Sequence, residues 1–150
     1  MNRARLALVL RWALALVFLA AALPKLRTPH DFAVVVFRYQ VLPYALVNLT
    51  AIFIPWLEFL SALALLVARR WRAAAFTIIL GLLVVFTALI AFNLYRGIDI
   101  ACGCFTLKPG AQHMGWWNIA RNLGLISVGL AAWVMGRRPA AAGSAAPPAR

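Results

Sequence analysis

Acidic residues are almost missing from this chain of 150 residues. Three Asp and Glu stand against fifteen Lys and Arg, leaving a net charge of +12 that internal salt bridges cannot balance. No paired-carboxylate hydrolase site is present, nor a phosphate-cradling glycine loop or a serine triad. Cysteine is equally scarce, at two residues. Two cannot supply the paired two-plus-two spacing of a strong zinc signature, nor the double cysteine pair of a self-contained membrane thiol oxidase. Charged residues of either sign make up only 12%, whereas 65% are apolar and mean hydropathy is +0.90, which rules out an ordinary soluble globule.

A basic excess alone points to nucleic acid or to an anionic membrane surface. The hydropathy decides for the lipid bilayer, and no nucleic-acid partner is expected. Four apolar runs stand out, from Leu6 to Leu23, Leu49 to Ala68, Ala73 to Tyr95 and Trp117 to Met135. Each is close to the ~20 residues a spanning helix needs, and four of them leave no room for a separate soluble domain. None shows the period-two alternation of barrel strands, so helix is the form that satisfies the backbone in hydrocarbon. The fold class is therefore all-α, a polytopic membrane protein built as a four-helix bundle. Residues 1–136 form that membrane domain, and the Ala, Pro, Gly and Ser of 137–150 read as a disordered cytoplasmic tail.

Basic residues set the orientation, because Lys and Arg near span ends stay on the cytoplasmic side. Arg3, Arg5, Arg11, Arg69, Arg70, Arg72, Arg137, Arg138 and Arg150 fall on one side of the bundle. Lys25, Arg27, Arg38, Arg96, Lys108 and Arg121 are spread over two longer connections on the other. Both termini are thus expected in the cytoplasm and the longer connections outside it. The start, with Ala20, Ala21 and Ala22 closing an apolar stretch, also has the outline of a signal peptide. Arg11 interrupts that stretch early, and cleavage would leave an odd number of spans, so it is read as a helix.

The first outer connection holds a helix start of its own. Thr28 offers a hydroxyl cap, Pro29 suits the first helical position and Asp31 places an acid in the first turn. Phe32, Val35, Val36 and Tyr39 then recur at i, i+3, i+4 and i+7, giving one apolar face before Pro43. A short interfacial helix across the mouth of the bundle is expected.

The two cysteines stand as Cys102-Gly103-Cys104 in the second outer connection. In an oxidising exterior such a pair forms or exchanges a disulfide. An i to i+2 bridge closes a small strained ring, for which Gly103 permits the backbone angles, and strain makes the couple labile and oxidising. As a staple it would stabilise little. Two other readings stay open. The thiols could be small fillers of a turn, or Cys102, Cys104, His113 and Met114 could hold Cu(I) or Zn(II) as soft and borderline ligands.

Glu58 is the only acid inside an apolar run, and an ionisable group at that depth is a functional candidate. Its partner is expected to be Lys25 or Arg121, with Asn93 and Asn122 at comparable depth as donors and Pro55 bending the helix to release a carbonyl. These residues form a candidate polar cluster beneath the cysteine connection, which serves either catalysis or helix register. Trp12, Trp56, Trp71, Trp116, Trp117 and Trp133 read mostly as headgroup anchors at span ends, with Trp56 and Trp117 also considered for a quinone pocket.

In chain order, Lys25, Phe32, Tyr39, Pro43, Pro55, Trp56, Glu58, the Cys102-Gly103-Cys104-Phe105 stretch and Arg121-Asn122 resemble the MauE/DoxX family of redox-associated membrane proteins. The likeness covers nearly everything from the first to the fourth helix. Its most specific parts are Lys25 to Phe32, Pro55-Trp56-Leu57-Glu58 and the Cys-Gly-Cys-Phe stretch. Where the family loop continues with glycine, this chain has Thr106, which bears on the turn and not on the thiols. The resemblance implies a small bacterial inner-membrane protein that assists methylamine dehydrogenase biogenesis with a thioredoxin-like periplasmic partner. Two functions are weighed on this basis. One is a thiol–disulfide oxidoreductase reacting through Cys102 and Cys104, with quinone as the candidate electron acceptor. The other is a non-enzymatic anchor or assembly subunit that docks a soluble redox protein.

Overall fold

A backbone N–H or C=O in hydrocarbon has no water to bond, so each apolar run must satisfy itself as a helix. The computed structural model describes residues 3–97 and 115–136, and each of the four runs is helical. The elements are α1 (Arg3–Arg27), α2 (Pro29–Arg38), α3 (Tyr44–Val67), α4 (Arg72–Tyr95) and α5 (Trp116–Gly136), with a single 3-10 turn at Arg69–Trp71 between α3 and α4. The four long helices have 25, 24, 24 and 21 residues. At about 1.5 Å per residue each is long enough to cross a hydrocarbon core of about 30 Å.

The long helices alternate in direction and close a ring in which α1 packs on α3 and α5, and α4 packs on α3 and α5. Side-chain size explains how closely they approach. Ala15, Ala22, Ala62, Ala75 and Ala132 are buried at the helix interfaces, and Leu14, Phe18, Leu65, Phe76, Ile79 and Leu83 fill the space between. Gly129 of α5 marks the tightest contact, since a methyl added there would lie 2.8 Å from Leu80 Cδ2 and 3.4 Å from Leu14 Cδ2. Large apolar side chains such as Leu16, Leu49, Phe53, Leu60, Val84, Leu123 and Val134 point outward. A soluble protein does not expose so continuous an apolar surface, and a lipid bilayer is the solvent that suits it.

Each helix is longer than its apolar core. α3 begins at Tyr44, well before Leu49, because Pro43 rather than the first polar residue sets its start. α1 continues through Pro24 to Arg27, since the Thr28 N–H and hydroxyl both donate to the Pro24 carbonyl, at 3.1 Å each, and close the last turn. That bond corrects the role expected of Thr28. Its hydroxyl ends α1 and does not cap α2.

α2 itself is present, with Pro29 in its first turn and Asp31 beside it. Phe32, Val35 and Tyr39 are buried against Ala51 of α3 and Ile90 of α4, with Val36, Ile54, Leu89 and Ile119 at the edge of the cluster. One short amphipathic helix thereby covers the end of the bundle from which α1 exits. Gln40, with φ of 49°, turns the chain back toward α3, and Gly97, with φ of 68°, ends α4 in the left-handed conformation that glycine adopts without strain.

The tryptophans divide. Trp71, Trp116 and Trp117 are exposed at helix ends as expected of anchors. Trp12 and Trp56 lie within their helices and face outward, and Trp133 stacks on Phe76 with ring centroids 6.0 Å apart. Trp12 and Trp56 mark no span end, whereas Trp133 stands in the last turn of α5. α3 stays one continuous helix through the buried Pro55. Cys102, Cys104, Lys108, His113, Met114 and the segment 137–150 lie outside the described residues.

Candidate functional site

Lys25 occupies the last turn of α1, one residue past Pro24, and Glu58 stands near the middle of α3. Packing of α1 on α3 brings them together. Lys25 Nζ donates to both carboxylate oxygens of Glu58 at 2.8 Å, and each residue is only 2% exposed. Of the two cations considered for Glu58, Lys25 therefore grips both oxygens.

Aromatic faces complete the ammonium's surroundings. The rings of Phe32 from α2 and Phe86 from α4 each lie 5.2 Å from Lys25 Nζ, measured to the centroid. Four elements thus meet at one lysine: α1 supplies it, α3 its counter-charge, and α2 and α4 its π-faces. A charge in such a low-dielectric place is tolerable only when paired and hydrogen-bonded, and here it is both. Phe32 belongs to the apolar face read from the sequence. Phe86 carries no sequence signal, because the residues next to it on α4 are nearly all apolar.

A cavity of about 300 Å³ opens beside the pair, lined by Lys25, Phe32, Val36, Ile54, Phe86 and Leu89 among others. Its wall is almost wholly apolar, with Lys25 as the charged residue among the described residues that line it. Neither Trp56 nor Trp117 lines it.

Asn93 and Asn122 are buried in the same half of the bundle. Asn93 is fully buried on α4 and donates through Nδ2 to the Leu89 carbonyl of its own helix at 3.0 Å. Its Oδ1 is buried with no hydrogen-bond partner among the described residues, an orphan acceptor of the kind that marks a polar interior. Asn122 is buried on α5, and so is Asn118 one turn earlier, a residue the sequence reading passed over although the i, i+4 spacing puts both on one face. Arg121, next to Asn122, is partly buried. The cysteine pair belongs in sequence to the connection between Gly97 and Gly115, which leaves α4 and enters α5 at the α2-covered end of the bundle.

The architecture has relatives in sequence. Residues 3–135 match the family described as methylamine utilisation protein MauE. A protein named methylamine utilization protein MauE from Methylophilus methylotrophus is 39% identical over 117 residues, covering 77% of this chain and 61% of its own length. Its namesake from Paracoccus denitrificans is 41% identical over 125 residues, 81% of this chain and 65% of its own. A third, from Methylorubrum extorquens, is 36% identical over 131 residues, 85% of this chain and 69% of its own. The chain thus spans less than two thirds of the length of the first two of these relatives. No solved structure matches it. Because the family match runs from the first turn of α1 to the last turn of α5, this multi-pass membrane chain belongs to the MauE family.

Proposed function

We propose that this protein is a thiol–disulfide assistant of the bacterial inner membrane that supports maturation of disulfide-containing periplasmic proteins, among them a dehydrogenase of methylamine utilisation. The observation that carries this reading is the placement, in sequence, of Cys102 and Cys104 in the connection at the α2-covered end, opposite the arginine-rich end. The arginine bias supports reading that end as the non-cytoplasmic one, where thiols encounter oxidised partners. Membership of a family named for methylamine utilisation supports the choice of client.

In the exchange, the thiolate of one cysteine attacks a partner disulfide and forms a mixed disulfide, releasing one partner thiolate that takes up a proton. The second cysteine, deprotonated, then displaces the other partner sulfur. The partner gains two electrons and two protons, and the Cys102–Cys104 pair becomes a disulfide. Run in reverse, the oxidised pair oxidises a partner dithiol. A thioredoxin-like periplasmic protein is the partner class suited to either direction.

The cavity beside Lys25 fits the other requirement of an oxidising cycle, an electron acceptor from the membrane. Phe32 and Phe86 offer faces for a quinone ring, Ile54 and Leu89 an apolar wall for its tail, and Lys25 a donor toward a carbonyl oxygen. A bound quinone would supply two-electron acceptance there. Glu58 holds the lysine in place.

One feature of the geometry favours the anchor function instead: the Lys25–Glu58 pair is internally neutralised and ties α1 to α3 as a register pin would. Thiol trapping separates the two. Mixed disulfides with a periplasmic partner that disappear in both Cys102→Ser and Cys104→Ser, together with failed client maturation, support the redox function. Normal maturation in both variants leaves the anchor.

A further inference from the structure

The second large cavity lies at the opposite end of the bundle, where α1 begins, α3 passes into α4 and α5 ends. It measures about 740 Å³, and five arginines line it: Arg3 and Arg11 from α1, and Arg69, Arg70 and Arg72 around the start of α4. No carboxylate lines it among the described residues. The two described acids are engaged or placed elsewhere. Glu58 is held by Lys25 and Asp31 is on α2 at the other end.

Converging like charges repel, and the repulsion grows as their surroundings lose water. Arg11 and Arg72 are the partly buried members, and the Nε atom of each is buried with no hydrogen-bond partner among the described residues. These are fork donors of a group that matches phosphate geometry bidentately. The N-terminus of α4 opens at the same place and adds its partial positive charge. The remaining wall is apolar, formed by residues such as Leu8, Phe76 and Trp133, with the last two stacked. An anion with an apolar neighbour would meet both surfaces.

We propose that this cavity is a phosphate-binding site that takes a phosphate-bearing anion, with the headgroup of an anionic phospholipid and free inorganic phosphate as its two sources. It differs from the general effect of basic residues on topology, because it is a concave site with specific donors. Arg5 provides the contrast, since it sits on the same helix end, is exposed and does not line the cavity.

The test uses the full chain in nanodiscs of phosphatidylcholine, with either a minor fraction of phosphatidylglycerol or added inorganic phosphate. Lipid retention is read by native mass spectrometry, and thermal unfolding is followed in parallel. Retention of phosphatidylglycerol over phosphatidylcholine by about tenfold identifies the lipid source. A rise in melting temperature with phosphate in pure phosphatidylcholine identifies the free anion. Either effect should fall to background in R11Q/R72Q and survive within about twofold in R5Q. Should R11Q/R72Q fail to fold, R11K/R72K decides, because it keeps the charge but loses the fork and should lower retention or stabilisation by about threefold. The proposal is overturned if the unaltered chain shows neither effect, if R5Q loses as much as R11Q/R72Q, or if a folded R11Q/R72Q or R11K/R72K binds as the unaltered chain does.

Discussion

Lys25 at the end of α1 places its ammonium 2.8 Å from both carboxylate oxygens of Glu58, near the middle of α3. The reach of a lysine stem makes this offset possible, since its apolar carbons cross between helices while the head finds the acid. Removing either partner alone leaves an uncompensated buried charge. Lys25→Met and Glu58→Leu should each lower stability in detergent by about 3–5 kcal/mol, and the double variant should recover most of that loss. Denaturant unfolding of the four members of the cycle measures it. Client maturation in the double variant then separates register from chemistry, because a register pin replaced by apolar packing keeps function.

Thr28 gives a sharper local test. Its hydroxyl donates to the Pro24 carbonyl at 3.1 Å and makes no cap bond to α2. Thr28→Val should therefore change stability by less than about 0.5 kcal/mol, where loss of a true cap costs about 1 kcal/mol. Hydrogen exchange over residues 29–38 should remain as slow as in the unaltered protein. Faster exchange confined to α2 would show that the hydroxyl caps it in solution.

Close approach at Gly129 predicts a graded series. Gly129→Ala pushes only the end of Leu80 and should cost about 1 kcal/mol, whereas Gly129→Leu should cost about 3 kcal/mol by separating α5 from α4 and α1. Thermal unfolding in matched micelles provides the comparison, and equal losses in both variants would contradict the packing described.

The proposed quinone site and the cysteine pair can be tested separately. Leu89→Trp should fill part of the 300 Å³ cavity beside Lys25. Mixed-disulfide formation through Cys102 and Cys104 should continue, while quinone-dependent reoxidation of the pair in membranes should slow by about tenfold. Unchanged reoxidation would remove the cavity from the cycle.

Sidedness is directly measurable as well. An impermeant thiol reagent applied to intact cells after mild reduction should label Cys102 and Cys104 from outside, because Arg3, Arg5, Arg11, Arg69, Arg70 and Arg72 concentrate at the other end of the bundle among the described residues. Labelling that appears only after lysis would reverse the topology and with it the redox proposal.

How much of this was legible beforehand depends on the kind of physics involved. The four crossings follow from hydropathy and length alone, and α2 follows from Pro29, Asp31 and the period of Phe32, Val35, Val36 and Tyr39, since all of these are local. Glu58 was identifiable because a lone acid in an apolar run is conspicuous. Phe86, Asn118 and the choice of Lys25 over Arg121 as the cation gripping both Glu58 oxygens were not.

The amino-acid order by itself determined that the chain folds as membrane-spanning helices and which end of the bundle is rich in arginine, because hydrocarbon forces each segment to satisfy its own backbone and charges resist burial. Tertiary structure decided which side chains meet. On α1 and α4 the residues are apolar nearly all round, so the pattern does not specify their rotation about the axis or their axial offset. Contact of small residues such as Gly129, Ala15 and Ala132 sets both, and from that packing come the Lys25–Glu58 pair and the arginine-lined cavity at the far end.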